Sequence, residues 1–80
     1  TAKLLDQGPE KCAEKFGEEA VEAIIEVVKG DSKALISEAA DVIFHYLVML
    51  KSRDINFEDV MKELEKRKNK SGLREKEDRS

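Results

Sequence analysis

The sequence has one cysteine, one histidine, one proline and no tryptophan, and each scarcity removes a class of protein. With Cys12 alone there is no internal disulfide framework, and Cys12 with His45 cannot furnish the usual zinc sites built from several Cys and His ligands. The compartment this implies is the cytoplasm. No apolar run approaches the roughly 20 residues that span a bilayer, and no charged-then-apolar segment resembles a signal peptide. Excess basic charge is also missing: 15 Lys and Arg stand against 18 Asp and Glu, for a net charge of -3. A chain with that balance is not a general nucleic-acid binder, which needs clustered Lys and Arg. Small anions bridged by a cation are still within its reach.

What is present is a short, strongly amphipathic chain. Its 80 residues allow one domain, residues 1–80, and a chain of this size buries only roughly 60% of its unfolded surface, so a partner chain would add needed stability. Charged residues make up 41% and apolar ones 40%, a mix too apolar for disorder and suited to helices with wet outer faces.

Helix signals follow in order. Gly8-Pro9 reads as a helix start, since proline fits the first helical position, and Gly30 as its end after Lys29. Asp31 or Ser32 can cap a second long helix over about residues 33–53, free of Gly and Pro. Asn56 with Asp59 three residues on opens a shorter third helix carrying Val60, Met61 and Leu64 and ending near Lys68. Residues 69–80 hold one sizeable apolar residue, Leu73, and read as a mobile tail. There is no β pattern. The predicted fold is all-α: two long antiparallel helices and a shorter third, forming a helical bundle completed by homodimerisation.

The two long helices differ. At 100° per residue the first sets Val21, Ala23, Ile24, Ile25, Val27 and Val28 on one broad side and Lys15, Glu19, Glu22 and Glu26 in a narrow stripe opposite. Taken alone, that stripe is an ordinary solvated face. The second is apolar nearly all round, except for Glu38, Asp41 and His45 at i, i+3 and i+7. Carboxylates held among Val42, Val48 and Met49 are costly unless paired or bound to metal. Glu19 and Glu22 lie about 8–11 residues before the Gly30-Asp31 turn, and Glu38 and Asp41 about 7–10 after it, so an antiparallel pair brings all four level. Four carboxylates in one place call for cations, and oxygen-only ligands suit Mg²⁺ or Mn²⁺. Hard cations with open positions suit hydrolysis of a phosphoanhydride.

The neighbours have plainer readings too. His45, one turn past Asp41, can meet substrate or simply hydrogen-bond that carboxylate. Glu18 points about 100° from Glu19 and is either a general base or a boundary ion-pair residue. Lys15 can meet a phosphate or pair with Glu19. Cys12, Phe16 and Tyr46 are explained by packing.

Lys15-Phe16-Gly17-Glu18-Glu19-Ala20-Val21-Glu22 followed by Glu38-Ala39-Ala40-Asp41-Val42 closely resembles the phosphoribosyl-ATP pyrophosphohydrolase family of histidine biosynthesis. The wider pattern, Glu-Glu-x-x-Glu then Glu-x-x-Asp, is similar to the all-α (MazG-like) nucleotide pyrophosphohydrolases. Gly8-Pro9-Glu10-Lys11, the Thr1-Ala2-Lys3-Leu4-Leu5 opening and Ser71-Gly72-Leu73 extend the narrower resemblance over nearly the whole chain. It implies Mg²⁺-dependent removal of pyrophosphate from phosphoribosyl-ATP by a helical dimer. The implied metal ligands are Glu19, Glu22, Glu38 and Asp41, with Lys15, Ser71, Gly72 and Lys76 as substrate contacts; helix spacing adds His45 as a further candidate substrate contact and Glu18 as the candidate catalytic residue. It further implies a helix before Thr1, and a glycine where Asn69-Lys70 stands.

Two other functions compete. A house-cleaning hydrolase of nucleoside triphosphates would use the same metal site, whereas a non-catalytic dimerisation module would leave Glu38 and Asp41 unexplained inside an apolar helix.

Overall fold

A computed structural model describes the backbone of residues 1–79 and the side chains of residues 1–68. It contains four helices: α1 (Ala2–Asp6), α2 (Pro9–Lys29), α3 (Ser32–Lys51) and α4 (Phe57–Arg79). No strand occurs among the described residues.

Local chemistry sets the breaks between them. Gly8 takes φ 95°, a left-handed conformation that favours a residue without Cβ, and Pro9 then occupies the first turn of α2. Gly30, at φ 78° and ψ 20°, ends α2 with its N–H donated to the Glu26 and Val27 carbonyls. One residue later the Asp31 carboxylate accepts the Ala34 N–H at 3.0 Å and starts α3. This two-residue reversal, Gly30-Asp31, lays α2 and α3 side by side, and theirs is the principal packing in the molecule. At the far end of α3 the Ser52 hydroxyl donates to the Met49 carbonyl at 2.6 Å. The Asn56 backbone carbonyl then accepts the Asp59 N–H at 3.1 Å, at the entry to α4.

Little of this architecture is closed off from water. Among the described residues Cys12 and Val48 are the buried apolar ones, and the Cys12 thiol donates to the Leu4 carbonyl at 3.4 Å, tying α1 to α2. Phe16 and Phe57 flank Tyr46, with ring centroids 5.9 and 6.2 Å from its ring. The molecule measures 52 × 35 × 16 Å, with a radius of gyration of 16.6 Å. A closed domain of 80 residues would have about 12 Å. The shortest dimension, 16 Å, leaves room for about two packed helices, and among the described residues large apolar side chains such as Ile24, Val28 and Ile36 stand open to solvent.

The third long helix departs from its predicted length. It continues to Arg79 rather than ending near Lys68, and at 23 residues it is not the shorter element. Scarcity of apolar residues after Leu64 speaks to packing, not to helix formation: Glu, Lys and Arg are good helix formers, and the one interior glycine, Gly72, costs only about 1 kcal/mol relative to alanine. The side chains of Ser71, Gly72 and Lys76 lie outside the described residues.

Candidate metal centre

Because α2 and α3 run antiparallel from one short turn, position 19 stands level with positions 41 and 42, and position 22 with 38 and 39. The four predicted carboxylates are thereby brought into one cluster. Glu19, Glu38 and Asp41 each contribute an oxygen to a group lying within 4.8 Å of one another. Glu22 follows one turn after Glu19 on α2, level with positions 38 and 39, and it raises the carboxyls of both Glu19 and Glu38. Glu19 and Glu38 are half-buried, while Glu22 and Asp41 are open to solvent.

This arrangement reverses the outward reading of the α2 polar stripe. Glu19 and Glu26 face inward with Cys12, Phe16 and Ala23, and Glu26 keeps only 17% of its side chain exposed beside Lys29 at 3.6 Å. The broad apolar side faces out instead: Val21, Ile24, Ile25 and Val28 are 56, 61, 48 and 82% exposed. The partial burial of Glu26 went unnoticed in the sequence, although its place two turns past Glu19 on the same stripe pointed to it.

Two carboxyls of the cluster are raised. Glu38 is pushed above the ordinary carboxyl value, first because its protonated form donates a hydrogen bond to Glu22, then by desolvation and by the charges of Glu22, Asp41 and Glu19. Glu19 is raised chiefly by desolvation, then by Glu22 and Asp41, with His45 pulling in the opposite direction. One oxygen, Glu38 Oε2, is buried with no hydrogen-bond partner among the described residues, which is costly unless a cation or donor arrives. The residues therefore fit a hard divalent cation: carboxylate oxygens converging, one of them buried and unpartnered, and solvent reaching the other side.

The surrounding candidates divide. Lys15 pairs with Glu18 at 3.3 Å rather than with Glu19, so Glu18 sits in an exposed ion pair outside the three-carboxylate group. His45 is half-buried, edge-on to Phe44 with ring centroids 5.1 Å apart. Its Nδ1 is buried without a partner among the described residues, so no hydrogen bond to Asp41 is made through that atom.

Residues 1–68 match the family model described as phosphoribosyl-ATP pyrophosphohydrolase, a span that contains the whole cluster. The chain is similar to the phosphoribosyl-ATP pyrophosphatase of Roseobacter denitrificans, 66% identical over 79 residues, covering 99% of this chain and 75% of that protein. Similar proteins of the same name occur in Paracoccus denitrificans, 66% identical with 99 and 73% covered, and in a Jannaschia species, 66% identical with 99 and 78% covered. No solved structure gives a significant match.

Proposed function

This chain belongs to the phosphoribosyl-ATP pyrophosphohydrolase family, and from that premise we propose that it removes pyrophosphate from phosphoribosyl-ATP, leaving phosphoribosyl-AMP, in the histidine pathway. The observation that carries the reading is the meeting of Glu19, Glu38 and Asp41 within 4.8 Å on the motif that defines the resemblance, with Glu22 beside them.

In this reading Glu19, Glu22, Glu38 and Asp41 hold Mg²⁺, or Mn²⁺ in its place. When bound, the cation supplies neutralisation of phosphate oxygens and an acidified water for attack at phosphorus. The chain's own groups do the rest. Two rigid helices of 21 and 20 residues hold the carboxylates in register, so the phosphoanhydride is received in a fixed orientation. Lys15 lies one turn before Glu19 and can exchange its Glu18 partner for a phosphate oxygen, since an exposed ion pair of this kind is weak. That exchange would also free Glu18 to accept a proton from the attacking water. Ser71, Gly72 and Lys76 are assigned substrate contacts from the family motif.

We further propose that residues 1–80 act as one domain and work as a homodimer in the cytoplasm. Supporting this are the 16 Å thickness and the exposed Ile36, Ile43, Phe44 and Leu47 along α3, 72, 60, 47 and 41% open. No described helix is long and apolar enough to cross a membrane. Assaying phosphoribosyl-ATP beside common nucleoside triphosphates, each with Mg²⁺ and with excess chelator, tests the reading. Metal-dependent preference for phosphoribosyl-ATP supports it. Equal or better turnover of ordinary triphosphates would transfer the chain to the house-cleaning type, and no hydrolysis of any of them would leave a dimerisation module.

A further inference from the structure

The fourth helix is amphipathic, yet its own chain does not cover its apolar side. Phe57, Val60, Met61 and Leu64 stand at i, i+3, i+4 and i+7 of α4 and form one stripe. Phe57 packs on Tyr46 with ring centroids 6.2 Å apart, but among the described residues α4 forms no substantial packing with α1, α2 or α3. Phe57, Met61 and Leu64 are exposed. One turn later the same stripe becomes basic, at Arg67 and Lys68. The outer face of α2, read backward from its C-terminal end, has the same spacing: Val28, Ile25, Ile24 and Val21, all exposed, and then Glu18 and Gly17. Gly17 is inside the helix, and a Cβ added there would meet no atom within 4 Å. A residue that weakens a helix interior thus leaves room on this face for a neighbour.

We propose that α4 of each subunit lies antiparallel on α2 of the other, with Phe57 level with Val28 and Leu64 with Val21. This rests on the homodimer reading given above and names the elements the two subunits exchange. In that register the four apolar positions of α4 meet the four of α2, and Arg67 and Lys68 arrive at Glu18 and Gly17. The Arg67–Glu63 and Lys15–Glu18 pairs, at 3.0 and 3.3 Å, are exposed and weak enough to exchange partners. Charge decides against two other occupants. Tyr46 stands level with positions 14 and 15 of α2, so α4 laid back along its own α2 from Phe57 would run parallel to it and put Arg67 and Lys68 on Ile24 and Ile25. The exposed stripe of α3, Ile36, Ile43 and Leu47, is bounded by Lys33 and Lys51, which would repel the basic end of a docked α4. The second subunit's α2 offers apolar residues followed by an acid in the order that α4 needs.

Cysteine pairing in the full chain tests the exchange. The chain carrying Val21→Cys with Leu64→Cys is oxidised and sized with and without reductant, beside each single variant and the wild type, whose Cys12 is buried. The expected product is a reducible covalent dimer from the double variant, and from the two single variants mixed, but from neither single variant alone. A disulfide closed within one chain would mean that α4 folds back on its own α2, and would overturn the proposal. So would the absence of either disulfide while the wild type sediments as a dimer, which leaves the dimer standing on other surfaces. A wild type that is a folded monomer at micromolar concentration removes the homodimer reading itself, and the exchange with it. Should the cysteine chain not fold, charge exchange decides. Arg67→Glu should raise the dimer dissociation constant roughly 5- to 30-fold, since the pair occurs twice per dimer, and adding Glu18→Arg should recover most of the loss. An unchanged constant in Arg67→Glu, or no recovery in the double variant, would overturn it equally.

Discussion

Replacing Ile43 with lysine tests the proposed assembly at a position where the outcome can be worked from exposure. Ile43 is 60% exposed and lies on one α3 stripe with Ile36 and Leu47. Burying a large aliphatic side chain completely is worth about 1.5–3 kcal/mol, so covering what remains open on Ile43 contributes roughly 1–2 kcal/mol. A two-fold interface uses the same surface on both subunits, which doubles this to roughly 2–4 kcal/mol per dimer. At about 1.4 kcal/mol per decade, the dimer dissociation constant should rise roughly 30- to 700-fold, before any cost of burying the new charge. Sedimentation velocity over a wide concentration range, with circular dichroism at each concentration, reads both association and folding. Helicity should become concentration-dependent in the variant, because a layer this thin gains much of its stability from its partner. Glu14→Gln, which alters a side chain in an exposed ion pair with Lys11, serves as the neutral control. A wild type that sediments as a folded monomer at micromolar concentration would refute the reasoning, and so would undiminished association of Ile43→Lys.

Three further outcomes follow from the cluster itself. Glu38→Gln and Asp41→Asn should each lower kcat/KM by more than the roughly 10–100-fold typical of groups behind the ligands, whereas Glu26→Gln, whose carboxylate has Lys29 as partner at 3.6 Å, should stay near wild type; equal damage from Glu26→Gln would break the ligand assignment. Mg²⁺ and Mn²⁺ should support turnover while Ca²⁺ binds with little, since Ca²⁺ takes longer and more numerous bonds, and full activity in excess chelator, with no metal-induced rise in Tm, would exclude the metal. In the metal-free protein the raised carboxyls of Glu19 and Glu38 favour the protonated folded form, so the stability they contribute is present below the ordinary value of 4.5 and is lost as pH rises through their raised values. Denaturant titrations in chelator should show this decline, smaller in Glu38→Gln and suppressed by Mg²⁺; a slope unaffected by either change would contradict it.

How far these features can be read from the chain depends on which forces are local. Pro9, Gly30 and Asp31 act through their own backbone geometry or a hydrogen bond three residues away, and all three mark the boundaries in the structure where the sequence predicts them. The end of α4 is different. Its expected stop near Lys68 leaned on the fading of apolar residues, a property of what a helix packs against, and a run of charged helix formers continues regardless to Arg79. The convergence of the four carboxylates likewise needed only rise per residue and a short reversal, which is why spacing alone brought them level.

What spacing could not decide is which face of α2 turns inward. A broad apolar side opposite a charged stripe ordinarily means that the apolar side is buried, yet here Glu19 and Glu26 face α3 while Val28 is 82% exposed. Periodicity reports that a helix has two unlike faces; it does not say that the first neighbour along the chain covers the apolar one. The antiparallel register forces the choice. If the valine and isoleucine face of α2 packed on α3, Glu19 and Glu22 would stand on the opposite side from Glu38 and Asp41, leaving the α3 carboxylates among apolar side chains with no cation-binding partners. Turning the acidic stripe inward assembles the cluster but leaves Val21, Ile24, Ile25 and Val28 open to solvent. That exposure ties the proposed chemistry to the proposed dimer: the same rotation of α2 that gathers the carboxylates proposed as ligands leaves an apolar surface that a second subunit would cover in the proposed assembly.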